Sequence, residues 1–162
     1  MMDRRQWLQL TLGACAALGL GPRVATAAQS GMQYRMIPSS RELIPVIGLG
    51  SSATFRTVAQ SEDVTALREV LDVMAARGAT VFDTAPSYGA SEEVAGRLAR
   101  ELGITQKLFW ATKVNVAPRG GGPADPAAAR AQIEESFHRF GVTTMDLIQV
   151  HNLGDLPVQL GM

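Results

Sequence analysis

The chain alternates between two hydrophobic periods, and that alternation restricts its fold more than any other property. Val64, Leu67, Leu71 and Met74 recur at helical spacing, with Val70 widening the stripe. A short apolar run follows at residues 80–82. Val94, Leu98 and Leu102 then lie four apart on one helical face, with Ala95 and Ala99 beside them, and a second apolar run follows at 108–111. Ala129, Ile133, Phe137 and Phe140 repeat the helical pattern before a third run at 145–150. A run at 46–49 precedes the first helix. Helices placed between short strands that lack polar alternation indicate parallel βα units with both sheet faces covered.

The punctuation agrees with this reading. Ser61, with Glu62 and Asp63 behind it, is the expected N-cap of the first long helix, and Gly78 ends it. Ser91 is the expected cap of the second, closed by Gly103. Asp125 caps the third, with Pro126 at the first helical position and Gly141 as the stop. Residues 34–37 read as one arm of a small hairpin with Ser39 and Ser40 in its turn. Residues 115–124 form a Gly/Pro-rich loop that carries Arg119. Gly48 and Gly50 are followed by Ser51, Ser52 and Ala53, so no Gly-x-Gly-x-x-Gly turn opens a helix and a dinucleotide fold of that type is unsupported. The expected fold class is α/β of the TIM (β/α)8-barrel type, here an N-terminal partial barrel with about four parallel strands.

Residues 1–27 stand apart. Arg4 and Arg5 precede Gln6, Trp7 and Leu8, an apolar run follows, and Ala25-Thr26-Ala27 offers a small-x-small cleavage site. This is the layout of a secretory signal of twin-arginine type, which predicts periplasmic export and a mature domain at 28–162. The apolar run from Trp7 to Leu20 is short for a membrane span of about 20 residues, so no stable span is expected after cleavage. A lipoprotein anchor at Cys15 is the lesser alternative. Cys15 is also the single cysteine, which excludes an internal disulfide, and no Cys/His cluster has metal-ligand spacing. Lys+Arg and Asp+Glu both number 15, so no charge excess points to nucleic acid.

Asp83, Lys113 and His151 each fall near the C-terminal end of an expected strand, and Tyr88 lies in the loop after the first of them. In a parallel barrel those ends carry the chemistry. Each residue also has an ordinary explanation: a turn cap, a half-buried loop aromatic, a lysine reaching solvent, a structural histidine. Convergence of all four favours a supported acid catalyst. A nearby ammonium eases proton loss from a phenol, a carboxylate orients that ammonium, and a histidine positions a carbonyl.

Three segments carry a family resemblance. VFDTAPSYGASEEVAGRL resembles the Asp-Thr-Ala-x-x-Tyr-Gly segment of the aldo-keto reductase family, with Glu92 or Glu93 opening the next helix. LFWATKV resembles its strand ending in Thr-Lys, and ARAQIEESFHRFGVTTMDLIQVHN resembles the helix and strand before its histidine. The resemblance runs from about residue 36 to 152, with 46–51 as the first barrel strand. It implies NADPH-dependent reduction of a small aldehyde or ketone to an alcohol, with Tyr88 as proton donor assisted by Lys113, Asp83 and His151. It further implies Gly50, Ser51 and Asp83 on the nicotinamide side, and His151 and Asn152 in the substrate pocket.

The resemblance also contains a departure. The family draws most of its cofactor-phosphate residues from its second half, whereas ten residues follow Asn152 here. The expectation is therefore a truncated domain, inactive unless completed by a C-terminal half. Its two open sheet edges would suit edge-to-edge self-association or a complementing chain. Two other readings remain open at this point. One is a non-catalytic half-barrel scaffold. The other is a barrel lyase or isomerase using Lys113 as a Schiff base, which the nearby Asp83 opposes by favouring the charged lysine.

Overall fold

A computed structural model of the chain describes residues 31–116 and 123–152. The expected signal segment, Cys15 and Arg119 lie outside the described residues. Six strands and four α-helices are present among those described. Strands β1 (Tyr34–Met36) and β2 (Leu43–Pro45) pair antiparallel as a hairpin, with Ser39 and Ser40 in its turn as expected. Then come β3 (Gly48–Gly50), a short helix α1 (Thr54–Ala59), α2 (Thr65–Ala76) and β4 (Val81–Asp83). Helix α3 (Ser91–Glu101), a 3-10 turn (Thr105–Lys107), β5 (Phe109–Val114), α4 (Pro126–Phe140) and β6 (Leu147–Val150) complete the order.

Strands β3, β4, β5 and β6 form one sheet in that sequential order, every pair parallel. Sequential parallel pairing through helical crossovers is the arrangement of a (β/α)8 barrel, and the chain forms a four-stranded part of one. A doubly wound dinucleotide fold would reverse its strand order midway, and this sheet does not.

Strand alternation sorts the residues between two faces. Phe82, Trp110 and Thr112 point to the helices, while Asp83 and Lys113 point to the other face. The helical side holds a continuous core in which Leu71, Phe82, Leu98 and Phe140 are almost fully buried. Its aromatic rings form a row: Phe55 of α1 meets Phe82 at 5.2 Å, Phe82 meets Trp110 at 5.7 Å, and Trp110 meets Phe140 of α4 at 4.7 Å. Edge-to-face and tilted pairs at these centroid distances are favourable beyond the area they bury.

Several local expectations change. Helix α2 starts at Thr65 rather than directly after Ser61, because α1 occupies the segment just before. Ser61 Oγ instead donates to the carbonyls of Val58 and Asp63, and Asp63 Oδ1 accepts the Thr65 N–H at 2.9 Å. Val70 is exposed, so it does not widen the buried stripe. Ser91 is the first residue of α3 and not its cap; its Oγ donates to the Ser51 carbonyl at 3.4 Å. The outer strands also depart from the buried pattern. Val46 and Ile47 precede β3 and are exposed, as are Leu147, Ile148 and Val150 of β6. Both strands are outermost in the four-stranded sheet, so each has a sheet neighbour on one side only among the described residues. The third cap holds as expected: Asp125 Oδ1 accepts from Ala128 N at 3.0 Å, and Gly141 ends α4 with φ 67°.

Candidate active site

The tetrad assembles because three adjacent parallel strands end at one level. Asp83 is the last residue of β4. The strand expected at 108–111 runs on to Val114, which places Lys113 inside β5, one residue from its end. His151 follows β6 directly, and its backbone N–H donates to the Val114 carbonyl at 2.8 Å. Tyr88 sits in the β4–α3 loop, which is closed by Tyr88 N donating to Ala85 O at 2.9 Å and Ser91 N donating to Tyr88 O at 3.2 Å.

Lys113 is the hub. Its Nζ donates to Asp83 Oδ1 at 2.8 Å, Asp83 Oδ2 at 2.7 Å and the Thr84 carbonyl at 2.8 Å. An ammonium carries three N–H donors, and three acceptor oxygens surround this one. The same Nζ lies over the Tyr88 ring, 5.5 Å from its centroid, within cation–π range. Tyr88 and His151 meet edge to face at 5.8 Å with an interplanar angle of 83°. All four residues are therefore brought together. The Lys113 ammonium contacts Tyr88 through the ring face.

Buried polar groups behind the site hold its frame. Glu92, in the first turn of α3, is completely buried. Its Oε1 accepts from Thr112 Oγ1 at 2.7 Å, and its Oε2 faces Arg139 Nη1 of α4 at 3.2 Å. One carboxylate thus ties α3 to the strand residue preceding Lys113 and to the next helix. A carboxylate in the first helical turn also meets the positive end of the helix dipole.

The residues expected beside the cofactor are placed as follows. Gly50 ends β3 and is exposed, with no atom within 4 Å of where a Cβ would stand. Ser51 is fully buried, and its N–H donates to the Asp83 carbonyl at 3.0 Å. The Ser51 and Thr84 hydroxyls are buried and accept or donate no hydrogen bond among the described residues. Asn152 is exposed and takes a left-handed backbone, φ 60°. Gln149, which the sequence reading did not single out, donates from Nε2 to Asp83 Oδ1 at 3.2 Å. The available signal was a lone amide in the apolar strand Leu147-Ile148-Gln149-Val150, two residues from His151 and hence on its face.

A parallel sheet whose consecutive strand ends gather Asp, Tyr, Lys and His is the arrangement of a barrel protein with its candidate site at the C-terminal strand ends. Comparison with known proteins agrees. The Aldo/keto reductase family model matches residues 46–155, and the chain belongs to that family. Aldo-keto reductase str7 of Strobilurus tenacellus is 33% identical over 120 residues, covering 70% of this chain and 35% of the relative. A solved aldo-keto reductase structure from Pseudomonas aeruginosa superposes with a TM-score of 0.64 at 28% identity, covering 78% of this chain and 49% of that one. An aldo/keto reductase of Klebsiella pneumoniae, solved in complex with NADP and acetate, superposes with a TM-score of 0.55 at 27% identity, covering 74% of this chain and 39% of that one. The chain thus spans little more than a third of the length of the curated relatives it matches.

Proposed function

We propose that the site reduces a small aldehyde or ketone to the alcohol with NADPH, Tyr88 supplying the proton. The observation that carries this reading is the Asp83–Lys113–Tyr88 arrangement: a lysine with all three donors engaged, held against a tyrosine ring at the strand ends. Family membership and the similarity to an NADP-bound structure support it. The residues present fit the nicotinamide end of such a cofactor. Gly50 leaves open space beside Asp83, and Ser51 supplies a buried hydroxyl that still has its bonding capacity.

When bound, the reduced nicotinamide supplies hydride to the carbonyl carbon. Tyr88 transfers its hydroxyl proton to the carbonyl oxygen, so the product leaves as a neutral alcohol and the phenolate is reprotonated from solvent. Lys113 offsets the negative charge that grows on Tyr88 as the proton departs. Asp83 orients Lys113, and His151, edge-on to Tyr88, hydrogen-bonds the carbonyl oxygen and sets the approach of the substrate. The Schiff-base reading fits less well, because it needs an uncharged, uncommitted amine and Lys113 has three acceptors around it.

The test is NADPH titration of the purified chain, followed by turnover with a panel of aldehydes and ketones. Saturable binding is expected, and Tyr88→Phe should lower carbonyl reduction by about a hundredfold or more while leaving NADPH affinity within twofold. Equal turnover in Tyr88→Phe would remove Tyr88 from the chemistry. A folded chain that binds no NADPH would refute the reductase reading for this chain and leave the scaffold reading.

A further inference from the structure

We infer that Gln149 is a positioning residue for this site: it locks the Asp83 carboxylate and, through it, the Lys113 ammonium against Tyr88. This rests on the reductase reading for its functional meaning, although the placement itself is independent of turnover.

The argument starts from register. Lys113 and Gln149 are partners across β5 and β6, so both project from the same level of the sheet. Asp83 lies on β4, beyond β5. Gln149 therefore reaches across an intervening strand to place Nε2 at 3.2 Å from Asp83 Oδ1. Gln149 is also the half-buried residue of a strand whose other three residues are exposed. An apolar side chain at this position would continue the Leu-Ile-x-Val run, and the amide instead delivers a donor to the centre of the site.

A carboxylate held only by a lysine is weakly oriented. The lysine stem has four rotatable bonds and follows the carboxylate as it turns. The Asp83 side chain is also 39% exposed, so packing alone does not hold its plane. A third hydrogen bond from another strand fixes that plane, because Oδ1 then faces two donors fixed to different strands. A neutral donor does this without competing for the charge that Lys113 needs. Fixing Asp83 fixes Nζ, and Nζ at 5.5 Å from the Tyr88 centroid is the contact the chemistry uses.

The chain contains only two lysines, Lys107 and Lys113, which gives a direct readout. In the full chain labelled at the lysine ε-carbon, NMR should show two ε-methylene signals. That of Lys113, whose Nζ lies 5.5 Å from the Tyr88 ring centroid, is expected to be displaced by the ring, and that of exposed Lys107 serves as the internal reference. Gln149→Met keeps the side-chain length and removes the N–H donor. The expected result is a Lys113 signal that moves toward the Lys107 position and broadens, with Lys107 unchanged. Gln149→Asn keeps the amide but is one methylene short, so it should give the same shift; it decides the matter if the Met variant does not fold. A Lys113 signal unmoved in a folded variant overturns the proposal. In turnover, Gln149→Met should lower kcat by about tenfold with KM for NADPH within twofold, as expected for misplacement of a catalytic group. Unchanged kcat alongside a shifted Lys113 signal overturns the functional part. A wild-type chain without turnover refutes the reductase reading, and the lysine signal then still decides whether Gln149 places Lys113.

Discussion

Gly96→Ala sets two effects of opposite sign against each other, and the structure says which wins. Gly96 lies inside α3, where Ala is intrinsically better by about 1 kcal/mol. A Cβ at this position would stand 2.6 Å from Phe140 Cα and 2.7 Å from its carbonyl carbon, and would overlap the carbonyl oxygen of the same residue. Ordinary contact begins at 3.4 Å, and the carbonyl oxygen is the nearest atom, so the end of α4 must retreat by about 1 Å. The atoms met are backbone and cannot rotate away. Phe140 is fully buried against Trp110, and a gap of that size forfeits roughly a quarter to a half of the dispersion energy at the contact. Overpacking of this kind costs about 1–3 kcal/mol, to which the loosened Phe140 adds about 1 kcal/mol. After subtracting the propensity gain, the net loss is about 2 kcal/mol, or roughly 8 °C in Tm for a domain of this size. Thermal unfolding followed by far-UV circular dichroism measures it. An Ala variant as stable as the parent, or more so, would show that α3 and α4 do not dock through this glycine.

Three further outcomes follow from the same reasoning. Thr112→Val keeps the shape of a fully buried side chain and leaves Glu92 Oε1 without its donor, so stability should fall by about 1–3 kcal/mol while Thr112→Ser loses less; chemical denaturation compares them. Asp63 is held below its ordinary carboxyl value of 3.8 by the Thr65 backbone N–H, and secondarily by the Thr65 side chain. A depressed carboxyl contributes stability above that value and loses it as pH falls through the lower folded value, so Asp63→Ala should lower Tm at neutral pH and converge with the parent in strong acid. Replacing Arg4 and Arg5 together with Lys should block export of the chain in a bacterial host, read as its retention in the cytoplasmic fraction; undiminished export would refute the twin-arginine reading of residues 1–27.

Much of the candidate site is legible in the order of residues, and the reasons are physical. Parallel strands bring the residues at their C-terminal ends to one level, so recognising strands at 80–82, 108–111 and 145–150 was enough to expect Asp83, Lys113 and His151 on one face, with Tyr88 just beyond. Errors of one to three residues in strand bounds did no harm, since the alternation of faces runs through the ends. Helix starts were read less well. Ser61 and Ser91 are good capping residues by type, but the Ser61 hydroxyl donates to the nearby Val58 and Asp63 carbonyls, that of Ser91 to the distant Ser51 carbonyl, and the short helix α1 displaced the expected start.

What the linear order of residues determined by itself is the succession of βα units, the parallel sheet they build and the placement of Asp83, Lys113 and His151 at its strand ends, because periodicity and turn chemistry act over a few neighbours. What only the tertiary structure decided are the contacts made between residues distant in the chain. Lys113 finds its three acceptors, Gln149 reaches over β5 to Asp83, Glu92 joins Thr112 to Arg139, and Gly96 accommodates the backbone of Phe140. Those partners lie tens of residues apart, and hydrophobic patterning leaves them undetermined because it specifies which face a residue takes but not which side chain meets it there.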